Sequence, residues 1–192
     1  MSSIYGLVLA GGKSSRMGQD KGLIDFNGKP QREYIAGLLK KFCDEVYISC
    51  KKNSAIPVDL NPLEDRFELE GPMNGILSAF AMNDSVAWIT VPVDMPYVDE
   101  ATIEYLIAHR DITKDAVCFY DSDGENPEPL LAVWESKASP HLLEYYKNGG
   151  ISCRNFLKQN DILLLKSPDE RIHKNINTPE DLRAFQNRND RK

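Results

Sequence analysis

Residues 9–22 read LAGGKSSRMGQDKG, fourteen positions that hold four glycines, two serines and three basic side chains directly after a short apolar run. A glycine-rich turn leaving a strand exposes successive backbone N–H groups and forms an anion-binding concavity. Gly11, Gly12 and Gly18 can take positive φ in such a turn and let a ligand come up to the main chain. Arg16 offers a bidentate fork for phosphate and Lys21 a point charge. The two common phosphate loops do not fit. Five residues separate Gly12 from Gly18, one more than G-x-x-x-x-G-K-[ST] allows, and Gln19-Asp20 follow. The adjacent Gly11-Gly12 exclude G-x-G-x-x-G.

Carboxylates complete the candidate chemistry. Asp94 closes the apolar run SVAWITVPVD (85–94), and Asp65 lies in a stretch where Asp59, Glu64, Asp65, Glu68 and Glu70 face Arg66 alone. Mg2+ takes oxygen ligands and is commonly held by one or two carboxylates together with substrate phosphates, which a strand-end Asp94 suits. Asp94 also reads as the cap of a turn before Pro96, and Asp65 as part of a solvated loop.

The elements that must position these groups follow from periodicity. IYGLVLA (4–10) reads as a strand buried on both faces, followed at once by the glycine-rich turn. REYIAGLLKKF is an amphipathic helix, EVYISC (45–50) a strand, and residues 51–70 mostly loop with a short strand near Ile56–Leu60. GPMNGILSAFAM (71–82) predicts a helix, 85–94 a buried strand, and DEATIEYLIAH (99–109) a helix capped by Asp99. AVCFY (116–120) and PLLAVW (129–134) flank the turn-rich DSDGENPE and predict an antiparallel pair. SPHLLEYYKN and SCRNFLKQ read as helices and ILLLK as a strand. TPEDLRAFQNR reads as a terminal helix with Thr178 as its cap and Pro179 in its first turn.

Strands alternating with helices predict an α/β, three-layer αβα Rossmann-like domain, its sheet mostly parallel with an antiparallel strand. Ligands bind outside the carboxyl ends of strands in such sheets, which places the loop after residue 10 and Asp94 on one edge. At 192 residues the chain reads as a single domain, 1–192. A net charge of −6 argues against a broad basic surface for nucleic acid, and no run approaches the ~20 apolar residues of a membrane span. The N-terminus lacks a basic leader pattern, which points to the cytoplasm. Cys43, Cys50, Cys118 and Cys153 show no C-x-x-C, and His109, His141 and His173 are not clustered, so four reduced structural thiols are expected.

LAGGKSSRMGQDKGLIDFNGKP resembles the signature of the molybdenum cofactor guanylyltransferases (MobA type), close to LAGG-x-S-x-RMG-x-DK-x-L with G-K-P after it. EGPMNGILSAF, VPVDMPYV and NINTPEDL resemble three further segments of that family in the same order, so the resemblance spans residues 7–182. It implies a nucleotide-diphospho-sugar-transferase fold and transfer of GMP from GTP to the terminal phosphate of molybdenum-molybdopterin, with Mg2+ as cofactor and pyrophosphate released. It further implies that Leu9, Ala10 and Gly11, with Gly12 in the same cradle, bind GTP and that Lys21 contacts phosphate. Asp65 would touch the nucleotide, Asp94 would hold Mg2+ and GTP, and Ser49 stands where the family often has a nucleotide-contacting asparagine.

For the molybdopterin partner the resemblance points to Asn126, Pro129, Arg154, Asn175 and Asn177, with Glu128 read equally well as a turn residue or a ligand contact. Cofactor-insertion and delivery proteins are the implied protein partners. The acceptor, a phosphate monoester with second pKa of about 6, is mostly a dianion at pH 7 and needs no general base. Positive charge and in-line positioning are what the protein must add, which casts Arg16, Lys21 and Asp94 as the catalytic set. A cytidylyltransferase or sugar-phosphate nucleotidyltransferase of the same fold, and a non-catalytic nucleotide-binding protein, are the competing readings.

Overall fold

In a computed structural model, residues 3–10, 21–26, 28–176, 178, 180–183 and 185 are described. The sheet has seven strands in the order β3-β2-β1-β4-β6-β5-β7. They are β1 (Ile4–Leu9), β2 (Glu45–Cys50), β3 (Pro62–Glu64), β4 (Ala87–Pro92), β5 (Ala116–Tyr120), β6 (Pro127–Trp134) and β7 (Ile162–Leu165). β6 runs antiparallel to β4 and β5, and the other neighbouring pairs are parallel. The three-layer expectation and the hairpin-like pair both hold.

One face of the sheet is covered by α1 (Gln31–Leu39) and α3 (Glu100–Ala108), whose Ile35, Leu39, Ile103 and Leu106 join Val8, Ile48, Ile89 and Val133 in a core. The other face carries α2 (Pro72–Met82), α4 (Ala138–Lys147) and α5 (Cys153–Gln159), with Ile76, Leu142 and Phe156 packed on Leu7, Trp88 and Trp134. Alternation along β1 and β4 divides their side chains between the two cores, so an uninterrupted apolar run is what both faces demand. α3 starts as expected: the Asp99 carboxylate accepts the Thr102 N–H at 2.9 Å. The four cysteines are free thiols, and burial pushes those of Cys43, Cys118 and Cys153 up to about 12.

Two of the boundaries that differ from the sequence reading have a local cause. The strand expected near Ile56–Leu60 is a 3-10 turn over Val58–Leu60, and the strand is β3, two residues later. Pro57 removes an N–H just before the turn, and Asn61, at φ 50°, reverses the chain while its side chain donates to the Val46 carbonyl at 3.1 Å. Pro62 is tolerated because β3 is the edge strand, paired only with β2. β6 likewise begins at Pro127 instead of Pro129, since both prolines lie beyond its ladder with β4, which ends at Thr90 opposite Ala132.

A third, small cluster ties the ends of the chain together. Ile24 and Phe26 pack with Ile176, Phe185, Tyr97 and Leu182. Thr178 Oγ1 accepts the Asp181 N–H at 3.1 Å while the Asp181 carboxylate accepts the Thr178 N–H at 2.9 Å, a reciprocal cap for the helical residues 180–183. Pro179 lies outside the described residues.

Candidate active site at the carboxyl edge of the sheet

β1 and β4 end side by side, Leu9 opposite Pro92, and the Val93 N–H continues the pairing to the Leu9 carbonyl at 3.3 Å. The chain entering the glycine-rich segment and the residues leading to Asp94 therefore share one edge, as the sheet rule requires. The Leu9 side chain belongs to the core beneath α2, and Ala10 is half-buried at the rim. Gly11, Gly12, Gly18, Arg16 and Asn177, and the side chain of Lys21, lie outside the described residues. The Lys21 main chain opens a 3-10 turn, Lys21–Leu23.

Asp65 follows β3 on the same edge, and its N–H donates to the Cys50 carbonyl at 2.9 Å. Burial pushes its carboxyl up, opposed by Lys51. The segment behind it is held by α2. Ser78 Oγ accepts the Arg66 N–H at 2.9 Å and donates to Asn74 Oδ1 at 3.1 Å. Asn74, itself buried, accepts the Phe67 N–H at 3.2 Å and donates to the carbonyls of Phe67 and Leu69, each at 2.7 Å. Gly75 lets α2 come close to β2, because a Cβ there would overlap Ser49 Oγ. Ser49 is thus buried under α2.

Asn74→Ala strips three main-chain groups of their partners at once. An unsatisfied buried group costs about 1–3 kcal/mol, so a loss of that order is expected, with Phe67 amide exchange accelerated ahead of global unfolding. Hydrogen exchange checks this, and unchanged protection at Phe67 would show that the amide does not pin the segment.

On the other side of β1, the chain's last segment returns to Asp94. The Ile176 N–H donates to the Asp94 carbonyl at 2.9 Å, which sets Asn175, exposed, at the same edge. β6 starts here too, since it runs opposite to its neighbours. Glu128 is half-buried in it; burial pushes its carboxyl up, and the charges of Asp94 and Asp121 add to that while the Leu130 N–H and Arg154 oppose it. Glu128 Oε1 accepts the Leu130 N–H at 3.2 Å. Pro129 is buried, and Asn126 uses its main chain to close the β5–β6 turn, its carbonyl accepting the Asp121 N–H at 2.7 Å.

Asp121 is the residue that the sequence reading missed. Its carboxylate accepts the N–H groups of Glu125 and Asn126 at 3.3 and 3.2 Å and meets the Arg154 guanidinium at 3.4 Å. Burial acts to raise its pKa, but those N–H groups and Arg154 prevail and hold it below the usual carboxylate range. The D-S-D-G turn directly after a strand was the available signal. Beside it, Ser122, Lys166, Ser167, His173 and Lys174 line a cavity of about 670 Å³, within the range of small-molecule sites.

Carboxylate oxygens are the donors that Asp94 and Glu128 bring to this edge. Among the described residues no group of three or more His, Cys, Asp or Glu is assembled to hold a metal ion. That set fits Mg2+, which needs no protein cage and takes much of its coordination from water and phosphate. No helix among the described residues is long and apolar enough to cross a membrane.

Comparison with known proteins matches residues 6–163 to the MobA-like NTP transferase domain. The chain is 37% identical over 182 residues to the molybdenum cofactor biosynthesis bifunctional protein of Synechocystis, covering 93% of this chain and 52% of that protein, so it spans about half that relative's length. It is 31% identical to the molybdenum cofactor guanylyltransferase of Vibrio vulnificus, over 93% of each. In fold it is similar to molybdopterin-guanine dinucleotide biosynthesis protein A from Archaeoglobus fulgidus, with a TM-score of 0.77 and 21% identity over 98% of this chain and 100% of that one.

Proposed function

We propose that this chain, which belongs to the MobA-like NTP transferase family, transfers GMP from GTP to the terminal phosphate of molybdenum-molybdopterin, giving the guanine dinucleotide and pyrophosphate. The observation that carries this reading is the shared edge: β1 delivers the glycine-rich segment, β4 delivers Asp94, and Ile176 of NINTP is hydrogen-bonded to Asp94 itself. Described residues of three of the four family-like segments, Leu9, Asp94 and Ile176, thus lie at one edge.

In this reading an oxygen of the acceptor's phosphate dianion attacks the α-phosphorus of GTP. The bond from that phosphorus to the bridging oxygen breaks, and pyrophosphate leaves with the electron pair. No proton has to be taken from the nucleophile. Repulsion between the anions is the obstacle. Arg16, Lys21 and the N–H groups of Gly11 and Gly12 act as the neutralising cradle, while Leu9 and Ala10 set where it begins. Mg2+, held by Asp94, supplies further charge neutralisation at the phosphates when bound. Asp65, positioned by the Asn74–Ser78 relay, serves the nucleotide. Asn126, Arg154, Asn175 and Asn177 serve the acceptor from the far side of Asp94; the buried Pro129 shapes the strand beneath them. The reaction belongs in the cytoplasm, in exchange with proteins that supply the labile pterin and take its dinucleotide, and involves neither nucleic acid nor membrane.

The experiment is pyrophosphate release with molybdenum-molybdopterin and GTP, CTP, ATP or UTP in turn, where GTP is expected to be the preferred donor. Preference for another nucleotide would move the chain to a different member reaction of the fold. Gly11 sharpens the test, because the missing Cβ leaves room for a purine. Gly11→Ala is expected to lower the GTP/CTP ratio of kcat/KM by about tenfold, the scale of one methyl group in a fitted pocket. An unchanged ratio would remove Gly11 from nucleotide choice.

A further inference from the structure

The strand registers set four positions on one row: Pro92 of β4 pairs with Leu9 of β1, Leu9 with Ser49 of β2, and Ser49 with Leu63 of β3. Two residues further along each chain, past the ends of the strands, the same row holds Asp94, Lys51 and Asp65. Main-chain bonds carry the pairing beyond the strands, from the Val93 N–H to the Leu9 carbonyl at 3.3 Å and from the Asp65 N–H to the Cys50 carbonyl at 2.9 Å. Neighbouring strands lie about 4.8 Å apart, so Lys51 is one strand from Asp65 and, across β1, two from Asp94. A nucleotide whose α-phosphate lies at Asp94 and whose other end reaches Asp65 passes Lys51.

The main chain at Lys51 is fixed, while its side chain is not spent. The Lys51 carbonyl accepts the Ser54 N–H at 3.1 Å, and Glu64 Oε1 accepts the Asn53 N–H at 3.1 Å, which folds the turn after β2 back onto β3. Ser49, two residues earlier on the same face, is buried against Gly75, so Lys51 is the first exposed side chain that β2 brings past the edge. Among the described residues no salt bridge engages its ammonium, yet its charge acts on Asp65 and favours the ionised carboxylate. Arg66, the cation that follows Asp65 in the chain, is turned to other work, donating from Nη1 to the Ala81 carbonyl at 3.1 Å.

A cation and a carboxylate side by side suit a neutral ring edge that sets an acceptor next to donors, whereas a phosphate in the same place would meet the Asp65 charge. Guanine has such an edge: O6 accepts, and the ring N–H and exocyclic amine beside it donate. We propose that Lys51 is a specificity-determining residue for the nucleotide, its ammonium donating to O6 of guanine beside the Asp65 carboxylate. This rests on the function proposed above and names the side chain that tells a 6-oxopurine from adenine. Adenine carries an amine where guanine carries O6, so a donor would face a donor.

The test measures the Kd of GTP, ITP and ATP, each with Mg2+, for the wild type, Lys51→Met and Lys51→Arg, together with GMP transfer by the wild type. ITP keeps O6 and lacks the exocyclic amine, so it isolates the contact to the oxygen. For Lys51→Met the Kd of GTP and of ITP is expected to rise about tenfold, the scale of one hydrogen bond from a charged donor, while that of ATP stays unchanged. Lys51→Arg, which keeps a charged donor, is expected to recover part of the loss. An unchanged GTP/ATP ratio of Kd in Lys51→Met overturns the proposal; if all three nucleotides weaken together, Lys51 is a phosphate contact instead. A wild-type chain that binds GTP in preference to ATP yet transfers no GMP would overturn the function on which the proposal rests and leave the reading of the base in place.

Discussion

Asp94→Asn is expected to lower GMP transfer by about 10²- to 10³-fold, the cost of removing one well-placed electrostatic contribution to a transition state. The reason lies in where the residue stands and in what its main chain does. The Asp94 carbonyl, which the substitution leaves in place, receives the Ile176 N–H at 2.9 Å and keeps the C-terminal segment docked. In the proposed reaction its side chain would supply the charge that an Mg2+–phosphate assembly requires and an amide lacks. The thermal midpoint and GTP-independent properties should therefore stay near those of the wild type while turnover falls. Near-normal rates in the variant would remove Asp94 from the chemistry.

The second large effect belongs to the opposite end of the sheet. Arg110, just beyond α3, meets Glu135 at the end of β6 through Nε to Oε1 at 2.6 Å and Nη2 to Oε2 at 2.8 Å. The Glu135 side chain is only 3% exposed, so Arg110→Ala would strand a buried carboxylate. Removing one partner of such a pair costs about 3–5 kcal/mol, a fall in Tm of the order of 10 °C for a chain this size. Replacing both partners with apolar residues should recover most of it, because the interior then holds no orphan charge. Thermal and denaturant unfolding of the single and double variants checks this. A single variant within 1 kcal/mol of the wild type, in about the usual range for surface substitutions, would mean water reaches Glu135.

These two effects separate the molecule's ends. At one, Arg110–Glu135, His141–Asp115 and Lys114–Asp161 are paired at 2.6 to 2.7 Å and serve stability. At the other, Asp65 and Glu128 are carboxyls whose pKa burial raises, set at the edge that also holds Asp94.

What the sequence reveals follows the strength of local signals. β2 and β5 span the residues their sequences predict, EVYISC and AVCFY, because each carries an apolar run that ends at polar residues. β3 escapes such reading: three residues with a proline at the front have no periodicity, and only their lateral pairing with Ile48, Ser49 and Cys50 of β2 makes them a strand. The order of strands is likewise a property of crossovers, not of any one segment. In the site, Asp94 was legible as a carboxylate at a strand end, whereas Asp65 read as part of an acidic loop that only the family resemblance set against the nucleotide. Glu128 was ambiguous between turn and contact because its meaning depends on β6 running antiparallel, which brings a strand's beginning to the edge where others finish. Asp121 looked like a turn residue, and it is one, yet the same turn docks Arg154 of α5.

The most direct measurement is a crystal structure of the chain with GTP and Mg2+. The nucleotide is expected over the carboxyl ends of β1 and β4, its α-phosphate between residues 9–21 and Asp94, and its far side open toward Glu128. An α-phosphate bound away from residues 9–21 and Asp94 would contradict the account.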